Sequence, residues 1–132
     1  MTLILLDTTF LVDAERGSSH LDELIGDEDD VAIAAITLAE LLVGVGLATG
    51  RRRQNRRAFV EEVAASLPAL AYDTTVAAAH ADLLLAVRAA GRPRGAHDLI
   101  IAATARSSNR TVVTVDAAAF HGLRGVAVRS HG

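Results

Sequence analysis

Four carboxylates occupy positions in this chain where acids can do chemistry. Asp7 closes the aliphatic run Leu3–Leu6, and Glu40 follows the run Val31–Ile36. Asp98 precedes Leu99–Ala103, and Asp116 closes Thr111–Val115. Open α/β sheets bind ligands outside the carboxyl ends of their strands. Acids gathered there repel one another unless a divalent cation, which prefers oxygen ligands, neutralises them. The pattern therefore points to a metal-dependent enzyme. A structural role is also open to each acid. Asp7 and Asp116 are candidate helix N-caps, and Thr37-Leu38-Ala39-Glu40 has capping-box spacing. Asp98 falls in a first helical turn, where the macrodipole favours negative charge. Spacing alone leaves both roles open.

The elements that must carry these acids alternate along the chain. Short aliphatic runs predict strands at Leu3–Leu6, Val31–Ile33, Pro68–Tyr72, Thr111–Val115 and Val126–Val128. Continuous apolar runs of this length suit strands covered on both faces. Helices are predicted at Thr9–Glu15, Ser19–Ile25, Thr37–Thr49, Arg51–Ser66, Thr75–Ala90 and Ala96–Ser107, with one helical turn at Ala117–Phe120. Gly26–Asp30 reads as an acidic loop. Gly91 and Pro93 stop the long Ala- and Leu-rich helix. Alternating strands and helices predict a mostly parallel central sheet with helices on both faces. With 132 residues, the chain makes one domain, residues 1–132, around one core.

Composition narrows the chemistry. Cysteine is absent, which excludes disulfides, thiolate nucleophiles and cysteine metal sites. All 13 basic residues are arginine, so a P-loop and a Schiff-base enzyme are excluded. An aspartyl-nucleophile phosphatase is disfavoured too, since Thr9 stands where its second acid belongs and no lysine is present. The net charge of −3 means that attraction to nucleic acid must come from a local patch. No apolar stretch reaches the roughly 18 residues of a membrane span, so a soluble, cytoplasmic protein is expected.

The residues around the four acids resemble the signatures of PIN-domain ribonucleases, and more narrowly of VapC-type toxins. Leu3-Ile4-Leu5-Leu6-Asp7-Thr8-Thr9 is similar to the first signature, and Ala35-Ile36-Thr37-Leu38-Ala39-Glu40-Leu41-Leu42-Val43-Gly44 to the second. Gly91-Arg92-Pro93 with Ala96-His97-Asp98-Leu99-Ile100-Ile101-Ala102-Ala103 resembles the third. Val112-Val113-Thr114-Val115-Asp116 with Phe120 resembles the fourth. The match runs in order along nearly the whole chain. It implies a three-layer α/β/α PIN-like fold and an endoribonuclease in which Asp7, Glu40, Asp98 and Asp116 hold Mg²⁺ or Mn²⁺. It also implies an antitoxin partner and a homodimer. Many relatives carry a polar or acidic residue just before the aromatic. Here that position is Ala119, so the fourth acidic role rests on Asp116 alone.

Other polar residues qualify as support. The hydroxyls of Thr8, Thr9 and Thr114 can orient a carboxylate or a water, or serve ordinary turn and strand chemistry. Arg51, Arg52, Arg53, Arg56 and Arg57 form a basic run able to meet RNA phosphates or to make a solvated helix face. Arg92 and Arg94 lie just before Asp98 and are candidates for the scissile phosphate or for salt bridges. His97 adjoins Asp98, but adjacent helix residues point apart, which argues against a shared role. Leu11, Val12, Leu38, Leu41, Leu42 and Val45 form a core, or line a groove for a partner helix.

Overall fold

The computed structural model describes residues 1–17 and 25–131. The predicted helix at Ser19–Ile25 lies outside the described residues except for Ile25. The remaining elements are β1 (Thr2–Leu6), α1 (Thr8–Arg16), β2 (Asp29–Ala34), α2 (Ala35–Leu47), α3 (Gly50–Ser66), β3 (Ala69–Leu70), α4 (Thr74–Ala90), α5 (Ala96–Ser107), β4 (Thr111–Thr114), a 3₁₀ turn (Ala117–Ala119) and β5 (Val128–Ser130). The strands form one sheet in the order β3-β2-β1-β4-β5. Every pairing is parallel.

Side chains alternate across the sheet and divide the core in two. Ile4, Leu6, Val31, Ile33 and Val113 pack with Phe10, Leu41, Phe59 and Val63 of α1, α2 and α3. Leu5, Ala32, Ala34 and Val112 pack with Leu83, Leu99, Ala102 and Phe120 on the other face. The result is three α/β/α layers. Alanines on both β2 and α5 let that helix lie against the sheet with little side-chain bulk between them. No helix among the described residues is long and apolar enough to cross a membrane.

The central feature for function is the reversal of strand order at β1. The chain steps from β1 to β2 and β3 on one side, then crosses to β4 and β5 on the other. The carboxyl ends of β1 and β4 thus meet at a topological switch point, the usual ligand crevice of such sheets. Their register places Leu6 beside Val113, and the Asp7 N–H donates to the Val113 carbonyl at 2.9 Å.

Several boundaries depart from the sequence reading, and β2 runs Asp29–Ala34, taking in two residues read as acidic loop. The strand expected at Pro68–Tyr72 contracts to Ala69–Leu70. It is an edge strand, and Tyr72 turns away so that its hydroxyl meets His80 Nδ1 at 2.8 Å. The last strand begins at Val128, not Val126, because Val126 N–H closes a turn onto Leu123 after Gly125 at φ 73°. Helix α2 begins at Ala35, two residues early, which places Thr37 inside the helix and fully buried. The capping box foreseen at Thr37–Glu40 does not form, since the N-cap is Ala34 without a side-chain bond.

Arg110 fastens the amino ends of the strands. Its Nη1 donates to the carbonyls of Ile4 (3.1 Å) and Asp30 (2.7 Å), and Nη2 to Asp30 Oδ1 (2.9 Å). Its Nε is buried without a partner, which offsets part of that gain. Replacing Arg110 with Ala strips β1 and β2 of these donors. We expect a loss of about 2–4 kcal/mol in urea unfolding. A smaller change than about 0.5 kcal/mol would show the clasp to be dispensable.

Candidate active site

Asp7 is the anchor of the site. It follows β1 directly and is 1% exposed. A buried carboxylate must be hydrogen-bonded, and this one has three donors. Thr8 N–H reaches Oδ1 at 2.8 Å, while the hydroxyls of Thr9 and Thr114 reach Oδ2 at 2.6 and 2.8 Å. The Thr114 hydroxyl in turn accepts from the Asp116 N–H at 2.9 Å. A relay from the backbone after β4 through Thr114 therefore ends on Asp7, and each bond polarises the next.

Glu40 enters from α2. Its Oε1 accepts from the Thr8 hydroxyl at 2.8 Å, and that hydroxyl also lies 3.1 Å from Thr37 Oγ1. Its Oε2 lies 3.2 Å from His97 Nδ1. Thr8 thus touches Asp7 with its amide and Glu40 with its hydroxyl. Asp98 comes from the first turn of α5, whose N-cap is Gly95. A Cβ placed on Gly95 would lie 2.7 Å from Asp98 Oδ2, closer than real atoms approach. Any larger residue at Gly95 obliges this carboxylate to shift, and spacing gave no sign of that.

Asp7, Glu40 and Asp98 line one hollow of about 300 Å³, together with Thr8, Thr9, Val12, Asp13, Arg16 and Val115. Asp116 is not on its wall. It is exposed and caps nothing with its side chain. It still acts at a distance. Burial, then the negative charges of Asp7, Glu40 and Asp116, raise the Asp98 pKa above its ordinary value, against a smaller opposing effect of His97. A larger hollow of about 910 Å³ lies beside the amino-terminal part of β2. That is the edge of an open α/β sheet that ligands do not use.

The donors suit a hard divalent cation. Carboxylate and hydroxyl oxygens dominate the hollow, and Asp7 Oδ1 carries a single hydrogen bond among the described residues. No three acidic or histidine groups among the described residues stand close enough to enclose an ion alone. Mg²⁺ fits such an open arrangement, because it keeps several waters and takes only one or two carboxylates.

The arginines depart from expectation. Arg53 donates to the carbonyls of Ala48 (2.8 Å) and Gly46 (3.1 Å), and Arg56 to that of Gly44 (3.1 Å). These carbonyls end α2 and lack helical partners, so two arginines of the run act as its C-terminal cap. Arg53 is accordingly revised from substrate contact to helix cap, although it is exposed like Arg51 and Arg52. Arg94 donates to the carbonyls of Ala118, Ala119 and His121 at 3.3, 2.9 and 2.7 Å, fixing the turn that follows Asp116. Its guanidinium is thereby committed to that turn, and Arg92 lines a different hollow with it. Arg16, which sequence reasoning passed over, is the cation on the acidic wall. Of the apolar residues considered for a groove, Leu11, Leu41 and Val45 are buried in the core, Val12 and Leu38 are half-buried, and Leu42 is exposed.

The PIN domain family model matches residues 4–124. The chain is similar to Toxin FitB of Neisseria gonorrhoeae, 35% identical over 128 residues that cover 89% of this chain and 91% of the relative. It is similar to Ribonuclease VapC5 of Mycobacterium tuberculosis, 38% identical over 112 residues, 84% of this chain and 81% of the relative. Among solved structures it resembles VapBC-5 of Mycobacterium tuberculosis, a member of the VapBC family of toxin-antitoxin systems. That likeness has a TM-score of 0.81 at 34% identity, covering 99% of this chain and 100% of the other.

Two expectations follow from the geometry. A carboxyl whose pKa is raised by folding supplies stability only while protonated, and that stability is lost as pH rises through the raised value. Asp98→Asn should therefore melt a few degrees higher than the parent in metal-free buffer, with an advantage that grows with pH across the carboxylate range and then levels off. An advantage independent of pH would refute the electrostatic account. Gly95→Ala should keep the melting temperature within a few degrees yet weaken Mn²⁺ binding by roughly 10-fold or more, because Asp98 must move. Calorimetric titration with Mn²⁺ measures this, and unchanged affinity would exclude the steric role.

Proposed function

Since the chain belongs to the PIN-domain family, in its VapC-type branch, we propose that it is a Mg²⁺- or Mn²⁺-dependent endoribonuclease and the toxin of a toxin–antitoxin pair. The observation that carries this reading is the convergence of Asp7, Glu40 and Asp98, from β1, α2 and α5, on one hollow at the switch point. The likeness to Ribonuclease VapC5 of Mycobacterium tuberculosis supports it. A helix-capping role does not account for Glu40, which caps nothing and meets Thr8 and His97 instead.

Asp7, Glu40 and Asp98 would hold the metal, one or two of them directly and the rest through its waters, with Asp116 adding negative charge behind them. When bound, the cation supplies a water of lowered pKa and stabilises charge on the phosphoryl and leaving oxygens. The chain's own residues set the geometry. Thr9 and Thr114 hold Asp7 in one orientation, and Thr8 and His97 hold Glu40 from its two oxygens. Arg16 faces the same hollow and is suited to a phosphate of the bound strand. Arg51 and Arg52, exposed on α3, extend the positive surface available to RNA.

The same reading includes a cytoplasmic location, a homodimer and a cognate antitoxin. The solved toxin–antitoxin relative supports the antitoxin. Exposed Leu42, Val43, Leu47 and Leu85 supply apolar surface for association.

The test is cleavage of a total RNA pool with Mg²⁺, Mn²⁺ or EDTA. We expect discrete fragments that require metal, and a loss in Asp7→Asn or Asp98→Ala beyond the about 10–100-fold typical of a supporting residue. Growth arrest on expression should disappear with the same substitutions while circular dichroism stays unchanged. Full activity in both variants would overturn the assignment.

A further inference from the structure

A second hollow adjoins the acidic one. It measures about 200 Å³ and is lined by Val12, Glu15, Arg16, Glu40, Leu41, Gly44, Arg56, Phe59 and Val60. Val12, Arg16 and Glu40 belong to both walls, so the two hollows are neighbours along one cleft. We propose that this slot receives the base of a nucleotide flanking the scissile phosphate and sets the cleavage preference. The proposal rests on the ribonuclease reading and deepens it.

Size, chemistry and position favour a single base. The slot is smaller than the about 300–1,000 Å³ of drug-sized sites, which leaves room for one planar ring rather than for a row of helix anchors. Its inner walls are Leu41, Phe59 and Val60, all buried, with one aromatic among them. Proteins that read single-stranded RNA splay bases out onto apolar and aromatic surfaces and bond their exposed edges. Arg16, at the junction, offers a cation to the phosphate that joins a base in the slot to the bond under attack. Arg56 is tied to the Gly44 carbonyl at 3.1 Å and bounds the slot on the α3 side.

The polar groups give the slot a direction. Glu15 presents a carboxylate, which accepts hydrogen bonds and donates none, while Glu40 at the junction is already engaged by Thr8 and His97. An amino-bearing edge, as in adenine, cytosine or guanine, satisfies such an acceptor. Uracil lacks an exocyclic amino group and has only its ring N3–H to donate, so uracil should be the least favoured base.

Gly44 provides a clean test. Gly44 lines the slot and a Cβ there meets nothing within 4 Å, so a side chain added at this position starts in open space. Gly46 also has open space and does not line the slot, which makes it the control. Both substitutions improve helix propensity, so both variants should melt at or above the parent temperature. The experiment incubates parent, Gly44→Leu, Gly46→Leu and Glu15→Gln with a randomised single-stranded RNA pool and Mn²⁺, and the cleaved ends are sequenced.

The parent and Gly46→Leu should share one preference, against uracil at one position beside the cut. Gly44→Leu should flatten it at least 5-fold, and Glu15→Gln should admit uracil. Gly44→Leu with the parent's preference overturns the slot while leaving the ribonuclease intact. An unchanged preference with weakened inhibition by the cognate antitoxin assigns the slot to a protein side chain, and also overturns it. No metal-dependent cleavage by the parent overturns the ribonuclease reading, and the slot with it.

Discussion

A buried carboxylate must find donors, and in this fold that requirement organises the whole rim. Asp7 sits at the end of the central strand and is almost without solvent contact. Its donors come from the first turn of α1 and from the end of β4, elements far apart in sequence. Meeting them fixes how α1 leaves the sheet and how β4 ends. The Asp116 N–H, bonded to Thr114, draws the following turn into the same arrangement. Arg94 then holds that turn from the other side through three carbonyls. Remove the polar requirement of one side chain, and several loops lose the reason for their paths.

Around this anchor the structure accumulates like charge, which works against stability. Burial and three neighbouring acids all push the Asp98 carboxyl toward its neutral form. Natural domains tolerate such local conflict at functional sites and compensate elsewhere. The compensation here is visible in two well-packed core halves on either side of the sheet. It is visible also in Arg110, which joins β1, β2 and β4 at the end remote from the acids.

Much of this was legible in the sequence, because the relevant signals were local. Aliphatic runs marked β1, β2 and β4, and Ala96–Ser107 was marked by its own helix-forming composition after the break at Gly91 and Pro93. The acids stood out because each adjoined such a run. What stayed hidden depended on pairing across the fold. The edge strand β3 is short because one neighbour alone holds it, and β5 begins where a turn at Gly125 releases the chain. Arg53 and Arg56 looked like an RNA face until the end of α2 supplied carbonyls for them. The role of Gly95 lies in an absent atom, and that of Arg16 in a helix whose C-terminus happens to reach the acids.

The two helical layers are separated by the sheet, and few side chains span from one to the other. Glu40 and His97 do so at the rim, from α2 and α5, at 3.2 Å. That contact is therefore a gauge of sliding between the layers. Shear of α1–α3 against α4–α5 would change this separation. A cation shared by Glu40 and Asp98 would lock the same coordinate. Its arrival would slow amide exchange in both helices at once, so the rigidity of the molecule and the occupancy of its rim would become one variable.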